Sequence, residues 1–220
     1  MIVAGKHIYL YGEKKEVPPL VIVNTFQGDG SNIYQALRDM TDSLFCLAVI
    51  SDIEWDDEMS PWECEALSKH DSHCTGGADK YLNTLTSVII PAIKKELQYV
   101  PDEIIIAGYS LAGLFSVYSL YKTDVFTSAV SASGSMWFPG FVEYTRKNDF
   151  CKVPKRVYFS LGDKEARTRN QILSTVEDNT IEIYEGFKSR GIDTIFELNP
   201  GNHFKDADRR LAKGIAWVLD

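Results

Sequence analysis

The chain has 220 residues, 45% of them hydrophobic and 25% charged, with a formal net charge of -8. This is the composition of an ordinary globular protein long enough to bury a three-layer core. The acid excess argues against nucleic acid or an anionic membrane surface as partner, because each needs a concentrated basic face.

Adjacent basic pairs such as Lys94–Lys95 and Arg209–Arg210 are scattered and read as solvated faces. The N-terminal stretch lacks the pattern of a secretory signal, and no apolar run approaches a membrane span, so a cytoplasmic protein is expected. A homodimer stays open as an assembly state. Four cysteines, Cys46, Cys64, Cys74 and Cys151, are too few for a disulfide scaffold, and Cys46 and Cys151 sit beside apolar residues as buried thiols would.

Strand-like runs are predicted at Lys6–Tyr11, Leu20–Thr25, Phe45–Ser51, Glu103–Ala107, Ser128–Ser131, Arg156–Leu161 and Thr194–Leu198. The first, short and early, reads as an antiparallel edge. Helical periodicity covers Asn32–Met40, Lys80–Gln98, Leu111–Tyr121, Arg167–Arg190 and Asp206–Leu219, the fourth stopping at Gly191. Strands alternating with helices imply an α/β fold with a mostly parallel central sheet, and with no repeat or linker the economical division is one domain, 1–220. The longest irregular stretch, Asp52–Asp79, is expected to border a functional site.

The most informative segment joins strand to helix through Gly108-Tyr109-Ser110-Leu111-Ala112-Gly113. A continuous apolar run, Ile104 to Ala107, leads into one serine with small residues two before and two after it, then into an amphipathic helix. A nucleophile elbow needs those small residues for its turn to close. The plainer alternative is that Ser110 caps the helix through its side chain.

A serine hydroxyl requires a base and a group that orients the base. His203 is the sole histidine downstream of Ser110, between the last strand and the last helix. A histidine base must be uncharged, so turnover is expected to rise with pH through one ionisation. For the acid, the strand ending at Leu161 opens into Gly162-Asp163-Lys164-Glu165. Glu165 is favoured, since a few residues are needed to turn a carboxylate toward the histidine loop. Asp163 is the competitor, better suited to capping the following helix, and Asp178 is a third candidate inside that helix. An oxyanion hole needs two N–H groups. Leu111 is the candidate for one, and Phe26 or Gln27 in the glycine-rich loop TFQGDGSN for the other, although the same loop reads equally as a plain turn capped by Ser31. Tyr109, Trp62, Trp137 and Phe138 suggest an aromatic-lined cleft, although aromatics at such places are at least as often core, with Tyr109 and Trp137 assigned to substrate binding.

The elbow, the segment Ser133-Gly134-Ser135-Met136-Trp137, Gly162-x-x-Glu165 and Gly201-Asn202-His203-Phe204 together resemble the α/β-hydrolase family of esterases that includes siderophore, feruloyl and acetylxylan esterases and S-formylglutathione hydrolase. The resemblance covers most of the chain. It implies a three-layer α/β-hydrolase fold and a Ser110–His203–Glu165 triad, the acid lying three residues after the strand-ending glycine. It also implies hydrolysis of a small-molecule ester through an acyl-enzyme, with no cofactor. Thioester hydrolysis or acyl transfer would use the same residues, and a non-catalytic binding protein would not be expected to keep all three residue types. Cys64, His70, His73 and Cys74 gather in the irregular stretch, but their spacing does not suit closed tetrahedral zinc, so no metal is expected.

Overall fold

The structure is a computed structural model, and it describes residues 1–12, 17–67 and 72–220. In chain order its elements are β1 (Ile2–Val3), β2 (Lys6–Gly12), β3 (Leu20–Asn24), α1 (Ser31–Arg38), β4 (Cys46–Ser51), α2 (Trp55–Glu58), β5 (Glu63–Cys64), β6 (Cys74–Thr75), α3 (Ala78–Thr84), α4 (Ile90–Leu97), β7 (Ile104–Tyr109), α5 (Leu111–Lys122), β8 (Ser128–Ala132), α6 (Phe141–Lys147), β9 (Arg156–Gly162), α7 (Val176–Ser189), β10 (Asp193–Asn199) and α8 (Ala207–Leu219).

Eight strands form one sheet in the order β1-β2-β4-β3-β7-β8-β9-β10, and β5 pairs with β6 separately. From β4 to β10 every pairing in the sheet is parallel, whereas β2 runs antiparallel to both β1 and β4. The early antiparallel strand is therefore second from the edge, with the short β1 folded outside it.

Alternation along each strand sorts side chains between the two faces. Val21, Val23, Val49, Ile105 and Val130 meet α1 and α8 through Ile33, Leu37, Leu211 and Ile215. Leu20, Ile22, Ile106 and Phe159 meet the opposite helical layer through Leu82, Ile93, Leu114, Val117 and Phe187. Both faces are covered, which is why the strands read as unbroken apolar runs. Ile106 is wholly buried, and its truncation to alanine would cost about 2–5 kcal/mol.

Helix α5 differs from its expected amphipathic character: every residue from Leu111 to Tyr121 is buried. It lies between the sheet and an outer layer, as a helix apolar all round must. Its two serines are satisfied locally, Ser116 Oγ donating to Ala112 O and Ser119 Oγ to Ser116 O, each at 2.8 Å.

The helix expected over Lys80–Gln98 is helical throughout, yet a π-helical segment, Leu85–Ile89, joins α3 to α4. It ends two residues before Pro91, which lacks the N–H that an α-helical ladder requires. The helix expected to begin at Arg167 starts only at Val176, after a 3-10 turn over Leu173–Thr175. Asn170 explains the delay, because its Oδ1 accepts the N–H groups of Ile172 and Leu173 and turns the chain first. Cys151 is exposed rather than buried, while Cys64 and Cys74 are the buried pair of that loop. No helix among the described residues is long and apolar enough to cross a membrane.

Candidate active site

Parallel strands release their loops at one edge of the sheet, and the candidate residues leave from the C-terminal ends of β3, β7, β8, β9 and β10. At the end of β7, Ser110 has φ 58° and ψ -124°, a left-handed backbone that is costly for a residue with a Cβ. Gly108 makes the turn sterically feasible, since a Cβ there would lie 2.2 Å from the carbonyl carbon and oxygen of Ala112. Ser110 stands at the N-terminus of α5, but its hydroxyl makes no capping bond.

That hydroxyl faces His203 instead, with Oγ 3.1 Å from Nε2. Nδ1 of the same ring lies 2.8 Å from Glu165 Oε2. Donation from Nδ1–H to the carboxylate leaves Nε2 as the acceptor of the serine proton, and the three groups form one continuous relay. Ser135 Oγ approaches Ser110 Oγ at 3.4 Å, and its N–H donates to the Ser110 carbonyl at 3.0 Å, holding the loop after β8 against the elbow.

Glu165 is almost wholly enclosed, its side chain 4% exposed. Burial pushes its carboxyl up, but hydrogen bonds from His203, from Ser133 Oγ at 2.7 Å and from the Gly162 N–H at 2.5 Å outweigh it. The net result holds Glu165 below the usual carboxylate value. Asp163 is engaged elsewhere, its Oδ1 accepting the N–H of Gly201 at 2.8 Å and so fastening the acid loop to the histidine loop. It caps no helix, because the chain after it continues in turns. Asp178 lies in the first turn of α7 rather than well inside a helix, because that helix starts only at Val176.

Two groups escaped the sequence reading. Ser133, at φ 46°, reaches Glu165 from the end of β8. Arg210, assigned by its neighbours to a solvated face, is 3% exposed and directed from α8 into the site. Helical spacing could have found it, since Arg210 lies one turn before Gly214 and two turns before Val218, both buried residues of α8.

The site opens into a cleft of about 1200 Å³. Phe26, Gln27, Leu111, Tyr109 and Trp137 all line it. Leu111 is the first helical residue of α5, so its N–H has no acceptor within the helix and is available beside Ser110. Phe26 is 62% exposed and meets Trp55 edge to face. In the same loop Ser31 does not cap α1, because it is the first helical residue and Gly30 stands at the cap position; its N–H donates to Asp29 Oδ1 at 3.0 Å. Tyr109 presents its ring to the cleft while its hydroxyl donates to the His203 carbonyl at 2.7 Å. Of the aromatics left open between cleft and core, Trp62 and Phe138 belong to the core, where Trp62 packs on Phe138, Phe141 and Tyr144.

The described part of the irregular loop adds Trp55, Asp56, Glu65, Leu67 and Ser72 to the cleft wall. Lys6 anchors it, its ammonium donating to Asp52 O at 2.7 Å and to Glu58 at 2.6 Å. Cys64 and Cys74 face each other across β5 and β6, and burial raises both thiols, Cys74 to about 11. His73 approaches Glu65 instead, and His70 lies outside the described residues. Among the described residues no group of three or more His, Cys, Asp or Glu is placed to hold a metal ion.

The sequence model of the family described as Putative esterase matches residues 13–205. The chain belongs to that family. It is thus a carboxylic ester hydrolase with the α/β-hydrolase fold. The esterase is 27% identical over 206 residues to the uncharacterized protein YbbA of Bacillus subtilis (strain 168), spanning 86% of this chain and 82% of that one. Among solved structures it superposes on an IroE-like serine hydrolase from Shewanella oneidensis with a TM-score of 0.78 at 18% identity, covering 97% of this chain and 75% of the other. The siderophore hydrolase EstA from Aspergillus nidulans gives 0.75 at 15% identity, with 97% and 89% covered. The enterobactin esterase FES from Shigella flexneri gives 0.71 at 15% identity, but the esterase spans only 54% of its length.

Proposed function

We propose that this esterase cleaves a small-molecule carboxylic ester by nucleophilic catalysis at Ser110. His203 Nε2 takes the serine proton as the hydroxyl oxygen attacks the ester carbonyl. Glu165 holds the ring in the tautomer that leaves Nε2 free and stabilises the imidazolium that forms. The tetrahedral oxyanion accepts hydrogen bonds from the Leu111 N–H and from a second N–H in the β3 loop, at Phe26 or Gln27. Collapse expels the alcohol, which receives the proton from His203. Water, activated by the same ring, then releases the acid from the acyl-enzyme and restores the serine.

The observation that carries this reading is the unbroken contact from Glu165 through His203 to a serine whose strained backbone lifts it clear of the helix it begins. The aromatic residues at the cleft, Phe26, Trp55, Trp137 and Phe204, suit an ester with a flat or apolar group. The neighbours named siderophore hydrolase and enterobactin esterase make a catecholate trilactone one substrate to try, beside p-nitrophenyl esters of increasing acyl length, acetylated sugars and a feruloyl ester.

The decisive experiment treats the residues as a unit. Ser110→Ala should abolish nearly all turnover, His203→Ala should cost about as much, and the double variant should be hardly worse than either, because the ring has nothing to activate once the hydroxyl is gone. A fluorophosphonate should label the wild type at Ser110 and leave Ser110→Ala unmodified. Robust turnover by folded Ser110→Ala would overturn the mechanism, and additive losses would remove His203 from the serine's step.

A further inference from the structure

Arg210 is the buried cation of the site, and its guanidinium gathers groups from several loops. Nη1 donates to Glu165 Oε1, Ser133 Oγ and Tyr109 Oη, each at 3.3 Å, and Nη2 donates to the Pro200 carbonyl at 3.2 Å. These partners come from the ends of β7, β8, β9 and β10, so a single side chain from α8 touches every loop that carries a member of the relay. Tyr109 extends the reach, since its hydroxyl donates onward to the carbonyl of His203.

We infer that Arg210 is a positioning residue for ester hydrolysis: it fixes the Glu165 carboxylate and the His203 loop in one geometry and places a buried positive charge 3.3 Å from Glu165 Oε1. The inference rests on the triad reading given above. The charge division supports it. Glu165 uses Oε2 for His203 and Oε1 for Arg210, Ser133 and the Gly162 N–H, so each carboxylate oxygen has separate partners. A guanidinium presents fixed, planar donors and so can serve several acceptors at once, which an ammonium cannot match. Gly162 leaves room for it, because a Cβ there would lie 3.0 Å from both Nη atoms. The titratable groups facing the guanidinium are Glu165 and Tyr109, with His203 reached through both. Asp163 binds Gly201 in the adjoining loop, and the Lys205 side chain packs on the outer side of that same Gly201.

The test compares wild type, Arg210→Met and Arg210→Lys in full-length protein with p-nitrophenyl butyrate, reading kcat, KM and the pH dependence of kcat/KM. Arg210→Met should lower kcat by at least about 30-fold with KM held within about threefold. Its rising pH limb should move upward by roughly half a unit or more, because losing a nearby cation favours the imidazolium. Arg210→Lys keeps the charge without the fork. It should return the limb close to that of the wild type and recover only part of kcat.

A brace that merely supports the fold would scale activity without moving the limb. An unmoved limb in Arg210→Met, or an equal shift in Arg210→Lys, therefore overturns the inference. Removing one partner of a buried ion pair can prevent folding. In that event Tyr109→Phe carries the test, and it should lower kcat at least threefold at unchanged KM and combine less than additively with Arg210→Lys. Unchanged kcat or strictly additive losses would refute the coupling. NMR titration of the His203 ring in a Ser110→Ala background reads the same upward shift without turnover, so a failure of the esterase mechanism and a failure of this inference remain separate results.

Discussion

At the scale of single residues, the acid is the position where sequence left the most open and the geometry is most definite. Glu165 and Asp163 stand two apart on one turn, and residue type cannot separate them. Position favours Glu165 in the proposed mechanism, because Glu165 Oε2 meets the imidazole while Asp163 Oδ1 is occupied by the Gly201 N–H. Glu165→Gln should therefore lower kcat by about 10³ to 10⁴, the scale set by loss of the correct imidazole tautomer. Asp163→Asn should lose no more than about tenfold, and steady-state kinetics on the two variants would exchange these roles if the order were reversed. Glu165 also makes stability depend on acid. Its carboxyl is held below its ordinary value, so its contribution is fully present above the unfolded carboxyl's pKa of about 4.3 and is lost as the pH falls through the lower, folded value. Thermal melts should place wild type well above Glu165→Gln at pH 6–7, with the gap closing below about pH 4. A gap that stays constant down to pH 3 would mean that the stability difference does not come from ionisation of the carboxylate. Ser133 was out of reach at this scale, since a serine after a strand carries no local sign of its partner, and the burial of Arg210 shows in its helical spacing while its distant partners do not.

Among elements, those defined by a local pattern were legible and those defined by tertiary context were not. The long parallel strands announce themselves as apolar runs because both faces are covered, and the elbow announces itself because the close packing of β7 on α5 demands small residues at fixed offsets. By contrast, α6 has seven residues and opens at Gly140 in the left-handed region, so it shows almost no periodicity to read. The late start of α7 depends on an asparagine side chain outcompeting the helix for backbone N–H groups, and the burial of α5 on every side depends on α3 and α6 lying beyond it. The elbow also yields a direct test. Gly108→Ala places a methyl group 2.2 Å from backbone atoms of Ala112 that cannot move without shifting the nucleophile. It should cost about 1–3 kcal/mol in denaturant unfolding and lower kcat more than KM. Gly186→Ala, in the interior of α7 with nothing within 4 Å of the added carbon, is the control that should leave kcat near wild type and raise stability by about 0.5–1 kcal/mol. Equal effects from the two substitutions would show that the tight turn is not what the glycine at 108 provides.

Across the whole molecule, the acid excess and the cleft point the same way. The described cleft lining contains Asp56, Glu65 and Asp208 besides Glu165, and no lysine or arginine. Arg167 and Arg169 flank the lining residue Thr168, and Lys205 follows Phe204, yet none of these basic residues is part of the wall. At roughly 8 Å in a water-filled groove each carboxylate would act on a substrate charge with about 0.5–1 kcal/mol, a factor of a few in binding. The rim cations offset part of this at longer range. The net field should disfavour anionic esters and leave uncharged and cationic ones as the better substrates. Three butyrate esters of similar size, with a neutral, a quaternary ammonium and a carboxylate-bearing alcohol, isolate the effect from acyl chemistry. At low salt kcat/KM should be about 3–10-fold lower for the anionic ester than for the neutral one, chiefly through KM. The cationic ester should equal or exceed the neutral. Half-molar salt should compress the series, since the Debye length then falls well below the width of the cleft. Asp56→Asn should recover part of the loss for the anionic ester alone. A series that is flat at low salt, or one led by the anionic ester, would assign the local field to the rim cations instead of the wall.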